Sequence, residues 1–411
     1  MNSETSAAIS LLNAQAVRAR AQRMLTLGLE DRLQNFRVDL SRLDDTAELV
    51  IATMHKAYPS LDIPFHSRWR HFVVDGIDRF DEIAKTAGFI DRAARARVEF
   101  DLAIVSVFLD AGVGMQWRYY DALSGEHIGR SEGLALASLD MFARGVFSAN
   151  PADPLRVDAA VLARLTPAQL IEGFQVTDEN PLVGLEGRAA LLRALGNLVV
   201  DNTGVFARND TARPGGLFDH LVGLAEGGAI GAPEILAELL RELGPIWPSR
   251  ITLGGIPLGD CWRHPAITTS DPTSGLVPLH KLSQWLAYSL IEPLQRAGLA
   301  VTKIDGLTGL AEYRNGGLFV DMDVIILREQ SQSASIYDVG SALVVEWRAL
   351  TIALLDKLAV AVRKKLNKDA DELPLAKILE GGTWSAGRAI ARARRDEGTP
   401  PIKILSDGTV F

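Results

Sequence analysis

Apolar residues in this chain recur again and again at three- and four-residue spacing. That period commits most of its length to amphipathic helices, since only a 3.6-residue repeat lines such positions along one face. The pattern runs through residues 4–35, as a helix pair or one long helix, and through 183–199, 233–243, 277–297, 338–366 and 384–396. Thr166-Pro167-Ala168-Gln169 supplies a capping hydroxyl, a first-turn proline and a glutamine at the third position, which starts another helix. Gly244 and Gly298 stand where C-terminal caps belong. Segment 98–111 is almost wholly apolar and reads as a central element, a buried helix or a buried strand. Strand signals are confined to 317–327, 251–256 and 401–405. The expected fold is mainly α with small β elements (α+β), organised as one catalytic domain over 1–411, with 1–40 a helical extension packed on it.

Composition narrows the function classes. With 47% hydrophobic and 23% charged residues, the chain has material for a large core and a soluble exterior. A net charge of −8 argues against a nucleic-acid partner, which needs a clustered basic surface. No apolar run reaches the roughly 18 residues that span a bilayer. The N-terminal stretch is acidic and then amphipathic, unlike a signal peptide. Cys261 stands alone, so neither a disulfide framework nor a cysteine-based zinc site can form within the chain. The seven histidines show no ligand spacing. These features predict a soluble cytoplasmic protein without a metal or organic cofactor; they leave its oligomeric state open.

Residues 305–323, DGLTGLAEYRNGGLFVDMD, hold four carboxylates: Asp305, Glu312, Asp321 and Asp323. Residues 318–325 alternate as a strand does, with Asp321 and Asp323 on one face. Asn315-Gly316-Gly317 reads as turn chemistry just upstream. The stretch is either an acid-lined site or a solvated edge strand. His66-Ser67-Arg68-Trp69-Arg70-His71-Phe72 gathers arginines and histidines around aromatics, suited to phosphate or carboxylate or to a surface ion-pair cluster. Residues 110–133 carry Asp110, Trp117, Arg130 and Glu132 on partly irregular backbone that suits a flat polar ligand, or a packed loop. Lys281, Gln284, Trp285 and Tyr288 form a second stripe on their helix, and Asp260 and His264 precede it. Cys261 reads as a small buried residue. Walker, GxGxxG, HExxH and GxSxG signatures are absent.

Seven stretches together resemble the uracil-catabolism protein 4 family: HSRWRHF (66–72), LDAGVGMQWRYY (109–120), RSEGLALAS (130–138), VPLHKLSQWLAYSLIEPL (277–294), LTGLAEYRNGGLFVD (307–321), LEGGTWSAGR (379–388) and SDGTVF (406–411). The resemblance runs from about residue 10 to the end. It implies a place in a route that converts uracil to its ribonucleotide, opens the ring and releases urea. LTGLAEYRNGG is also similar, more weakly, to a motif of the queuosine-nucleotide N-glycosidase family, helical proteins similar to DNA glycosylases. That likeness implies a DNA-glycosylase-like helical domain with the motif's carboxylate at the glycosidic bond. Glu312 stands here where that family has aspartate, one methylene longer, and Asn315-Gly316 replaces a proline-containing turn.

The two resemblances imply an N-glycoside hydrolase acting on ribosylurea 5-phosphate or a related ring-opened uridine nucleotide. The expected catalytic residues are Glu312, with Asp305 or Asp321 as partner. The expected substrate ligands are Arg314, Tyr313, Lys281, Gln284, Trp285, Asp110, Trp117, Arg130, Glu132, Asp260, His264, Arg70 and His71. Some subset of Arg68, Arg70, His71, Lys281 and Arg314 would hold the 5-phosphate. The segments 66–72, 110–133, 259–264, 277–288 and 305–321 are expected to converge on one pocket. The rivals are a metal-free amidohydrolase acting on the urea moiety and a non-catalytic scaffold for uracil-catabolic enzymes.

Overall fold

A computed structural model describes residues 3–110, 112–114, 116–208, 211–247 and 251–405; the terminal SDGTVF motif lies outside them. The chain is 57% helical and 11% strand, the latter only in short pairs, so it is mainly α with small β elements, as the periodicity predicts. No helix among the described residues is long and apolar enough to cross a membrane. The chain divides into two compact units. Among the described residues, one takes 3–66, 251–284 and 303–405, the other 67–247 and 285–302.

The first unit is built around the helix Ala342–Leu366. Its residues from Leu343 to Leu355 are all buried, so it is a central rod rather than an amphipathic surface helix. Helices Ala14–Leu29, Leu43–Ala57 and Tyr313–Asp321 pack on it. Asn13 starts Ala14–Leu29 by accepting the Ala16 N–H at 2.8 Å, and Ser341 caps the central helix through the Val344 N–H. Strand Phe36–Val38 pairs antiparallel with Ile325–Leu327, and Cys261–Arg263 pairs with Leu276–Pro278.

The second unit centres on the helix Arg92–Phe108, which makes residues 98–108 of the apolar segment a buried helix. Every residue from Val98 to Phe108 in it is buried. Asp91 caps it through the Ala94 N–H at 2.6 Å. Helices Arg130–Ala143, Leu185–Asp201 and Gly216–Leu224 pack around it. The capping box at Thr166 and Gln169 forms as its sequence predicts. The parallel pair of Ala229–Gly231 and Ala300–Thr302 closes this unit.

Three expectations need correction. Residues 317–327 are not one strand: Tyr313–Asp321 is a helix, and only Ile325–Leu327 is extended. Glu312 starts that helix, accepting the N–H groups of Arg314 and Asn315 at 2.8 and 2.6 Å. Gly316 is tolerated inside it because a Cβ there would lie 2.8 Å from the Trp347 indole. The residue thus answers a close helix contact, not a turn. The helix expected from 277 begins at Lys281. His280 holds a left-handed φ of 46°, and Leu276–Pro278 is drawn into a strand. Gly244 is no C-cap, because Leu243 ends its helix in right-handed backbone and Gly244 opens a 3-10 turn. Gly298, at φ 102°, does follow its helix in the positive-φ region.

Candidate functional site

The motif 305–321 is held at both ends by ion pairs. Asp305 pairs with Arg363 and accepts the Leu375 N–H at 2.6 Å. Asp321, only 3% exposed, receives both arms of Arg395 at 2.6 Å. Each is a fork-to-fork or bridging contact that fixes backbone. Glu312 lies between them and is partly exposed. Among the described residues, the donors to its carboxylate are the two helix-start N–H groups.

Support for the Glu312 loop comes from the residues predicted upstream. Arg348, 1% exposed, sends its two terminal nitrogens to Asp260 at 2.9 and 2.8 Å and its Nε to the Ala311 carbonyl at 3.3 Å. Asp260 also accepts the Trp262 indole N–H at 2.6 Å and the Lys281 N–H at 2.9 Å. Desolvation raises the Asp260 carboxyl, but Arg348 and these donors outweigh it and hold it down at about 2. Gln284, fully buried, donates to the Thr308 hydroxyl at 2.7 Å and accepts the Thr308 N–H at 3.3 Å. Trp347 donates to the Gly316 carbonyl at 3.0 Å. Asp260 and Gln284 therefore position the backbone that carries Glu312.

His264 is 2% exposed, with Nδ1 accepting the Ala266 N–H at 3.3 Å and Nε2 3.3 Å from buried Glu346. That places it in a core network with Asn35 and Phe36, whose N–H groups also meet Glu346. Cys261 is buried and its thiol is pushed up to about 12, by desolvation first and by Asp260 second. A thiol kept protonated is a packing residue, not a nucleophile.

Around Glu312 the first unit adds a group that no isolated pattern announced. Arg314 lies with its guanidinium 4.1 Å from the centre of the Trp384 indole and 5.6 Å from the Tyr313 ring. Arg388 lies 5.5 Å from the same indole. Gly387 lets this helix approach, since a Cβ there would meet the Arg314 carbonyl oxygen at 2.3 Å. His66 sits beside the indole, ring centroids 6.3 Å apart, with Nδ1 2.7 Å from Glu380. The clue was LEGGTWSAGR (379–388), a motif of the family resemblance without chemistry of its own.

The second unit assembles the other predicted residues. Arg68 is wholly buried: its guanidinium donates to the Ser106 hydroxyl at 2.7 Å and to the Ser106 and Ser131 carbonyls. Asp110 lies 3.4 Å from it. Burial pulls the Arg68 guanidinium down, while Asp110 and Glu132 oppose that. His71 Nδ1 lies 3.2 Å from the Arg68 guanidinium, and because arginine can only donate, that nitrogen is the acceptor. Trp285 lies beside both, 5.5 Å from the His71 ring and 5.4 Å from the guanidinium. Arg70 pairs with Glu292 at 2.8 Å. Trp117 is core, its indole donating to the Phe174 carbonyl at 2.9 Å. Arg130, at φ 58°, and Glu132 open the helix Arg130–Ala143, so the later part of 110–133 is regular.

Among the described residues His220, Glu238 and Glu242 bring possible metal-ligand atoms within 4.8 Å of one another. Arg241 bridges both carboxylates, so a guanidinium already supplies the positive charge there.

The arrangement defines a class: a mainly helical protein whose partly exposed motif carboxylate caps a helix start, with the arginine two residues on lying over an indole. The chain belongs to the family described as "Protein of unknown function (DUF1688)", whose model matches residues 10–411. It is 39% identical to "Protein urg3" of Schizosaccharomyces pombe over 419 residues, all of both chains. It is 36% identical to "Uracil catabolism protein 4" of Lachancea kluyveri over 412 residues, 92% of each. The resemblance drawn from the motifs therefore holds.

The buried pair at Asp260 makes a stability prediction. Asp260→Asn leaves Arg348 charged and unmatched in the core and is expected to cost about 3–5 kcal/mol at pH 7. Because the folded carboxyl titrates at about 2, below its ordinary range, its contribution is present at neutral pH and lost as pH falls through 2. In urea unfolding, the gap between wild type and variant should narrow on going from pH 4 to pH 2. A constant gap would refute the assignment.

Proposed function

We propose that this chain acts in uracil catabolism as an N-glycoside hydrolase. Its substrate is ribosylurea 5-phosphate or a related ring-opened uridine nucleotide, and its products are urea and ribose 5-phosphate. The name of the Lachancea kluyveri relative, which aligns over 92% of the chain, supports the pathway. The observation that carries the chemistry is the Glu312 carboxylate, fixed at a helix start by two N–H donors. Asp305 and Asp321 are each engaged by an arginine instead.

Breaking the bond from C1 to the urea nitrogen builds positive charge on C1 and the ring oxygen. A fixed anion against that face stabilises the transition state more than the ground state, which is what raises turnover. Glu312 takes this role, and its rigid mount removes the cost of orienting it during reaction. Asp305 and Asp321 hold the motif's ends and act through it. The 5-phosphate is a dianion that needs charged donors when partly desolvated. Arg314 takes it, two residues from Glu312 and braced by the Trp384 face.

Purified protein given ribosylurea 5-phosphate is expected to release a reducing sugar phosphate and urea in equal amounts. Ammonia with the sugar still substituted would favour the amidohydrolase, and no turnover at all would favour a scaffold. Glu312→Gln should lower kcat by about 10²-fold or more; near wild-type turnover overturns the assignment. Arg314→Ala should raise KM for the phosphorylated substrate at least about tenfold, the scale of one lost charged hydrogen bond, with little change for unphosphorylated ribosylurea. An equal rise for both would place the phosphate elsewhere.

A further inference from the structure

We propose that Asp110 is a ligand-binding carboxylate of the second unit. It accepts an uncharged N–H or O–H donor of a small polar ligand, namely a ureido nitrogen or a ring hydroxyl of a ribosylurea. The choice of ligand rests on the glycosidase reading; the need for a donor at this carboxylate does not.

The Asp110 side chain is 10% exposed, so it has given up most of its hydration. No hydrogen bond among the described residues replaces it at Oδ1. The reason lies in its neighbour. Arg68 Nη1 is 3.4 Å from Oδ1, long for a charged hydrogen bond, which closes to about 2.7–2.9 Å. That nitrogen carries two hydrogens. It gives one to the Ser131 carbonyl at 3.1 Å and the other to His71 Nδ1 at 3.2 Å. Asp110 therefore meets the charge of Arg68 without receiving a proton from it. A buried acceptor left unmatched costs about 1–3 kcal/mol, more when it is charged. An acid kept in that state calls for a partner from outside the fold.

The position is unfavourable in a second way. Asp110 stands at the C-terminal end of the helix Arg92–Phe108, its N–H on the Val107 carbonyl at 3.0 Å. The carbonyl end of a helix disfavours an anion. The backbone is nevertheless clamped. Arg188 donates to the carbonyls of Leu109 at 3.0 Å and Gly112 at 3.1 Å, on either side of Asp110, and to that of Val183. Burial pulls the Arg188 guanidinium down to about 10, and Asp110 opposes that. An acid set against its local preferences on a fixed backbone is the kind of inconsistency that functional groups introduce.

The surrounding charges select the ligand. Arg68 and Arg188 both feel the charge of Asp110, and Arg68 feels that of Glu132 as well. Two guanidiniums and two carboxylates cancel, so the surroundings favour neither a metal ion nor a phosphate. What the carboxylate lacks is a proton donor without charge. A ribosylurea offers two kinds, its ureido N–H groups and its hydroxyls.

The test is calorimetric binding of two ligands to wild type, Asp110→Asn and Asp110→Glu. One is the carbocyclic analogue of ribosylurea 5-phosphate, which cannot form an oxocarbenium ion and so is not cleaved. The other is ribose 5-phosphate, which lacks the ureido group. Asp110→Asn should weaken the carbocyclic ligand about tenfold or more, the scale of one charged hydrogen bond. If ribose 5-phosphate still binds as in wild type, the donor is a ureido nitrogen; an equal loss for both assigns it to a hydroxyl. Asp110→Glu keeps the charge opposite Arg68 and moves the acceptor by one methylene. It should keep the wild-type unfolding temperature and lose comparable affinity, and it decides the question if Asp110→Asn does not fold. A folded variant that loses less than about threefold for both ligands, under 1 kcal/mol, overturns the proposal. So does a wild-type protein that binds neither. Cleavage is read separately: a wild type that binds the carbocyclic ligand yet releases no ribose 5-phosphate from ribosylurea 5-phosphate removes the glycosidase reading and leaves Asp110 in its role.

Discussion

The first unit depends on one buried ion pair. Arg348 belongs to the central helix and Asp260 to the loop before strand Cys261–Arg263. Their fork-to-fork contact also reaches the Ala311 carbonyl, one residue before Glu312. Two charges removed from water are costly unless every remaining donor and acceptor is matched. Here the Trp262 indole and the Lys281 N–H complete the set on Asp260. The result is a rigid mount, which a carboxylate needs if it is to face developing charge without reorganising.

The same economy separates the acids of residues 305–323 by role. Asp305 and Asp321 stand at the two ends of the motif, and each is matched to an arginine from a distant segment. Asp323 is exposed in a left-handed turn at φ 56°. Glu312, in the middle, is oriented by backbone donors that carry only partial charge and come with the helix dipole. Those main-chain donors bring Glu312 only partial charge, whereas an acid forked to arginine presents a neutral pair. The carboxylates thus differ by what holds them, although they look alike in sequence.

Much of the architecture was legible because its signals are local. Thr166 and Gln169 are three residues apart, and the apolar period of 183–199 or 338–366 needs no distant partner to be read. Tyr313–Asp321 was misread for the same reason. Its start uses glutamate rather than the favoured Ser, Thr, Asp or Asn, and Asn-Gly-Gly taken alone spells a turn. Only the approach of Trp347 explains why glycine occupies that helix. The His66–Glu380 contact was beyond reach, since the residues lie 314 positions apart and Glu380 stands in a π turn, Leu379–Thr383, which has no sequence signature. Family motifs marked both segments without saying what their side chains do.

Arg68 shows how far residue type can mislead without burial. In an acidic chain, an arginine between histidines and aromatics reads as an anion ligand. In the fold its donors go to Ser106 and Ser131, and Asp110 faces its charge. A guanidinium so completely engaged cannot turn to a phosphate without leaving buried acceptors unmatched. What it does instead is set its neighbour. It donates to Nδ1 of His71, whose ring lies 5.5 Å from the Trp285 indole.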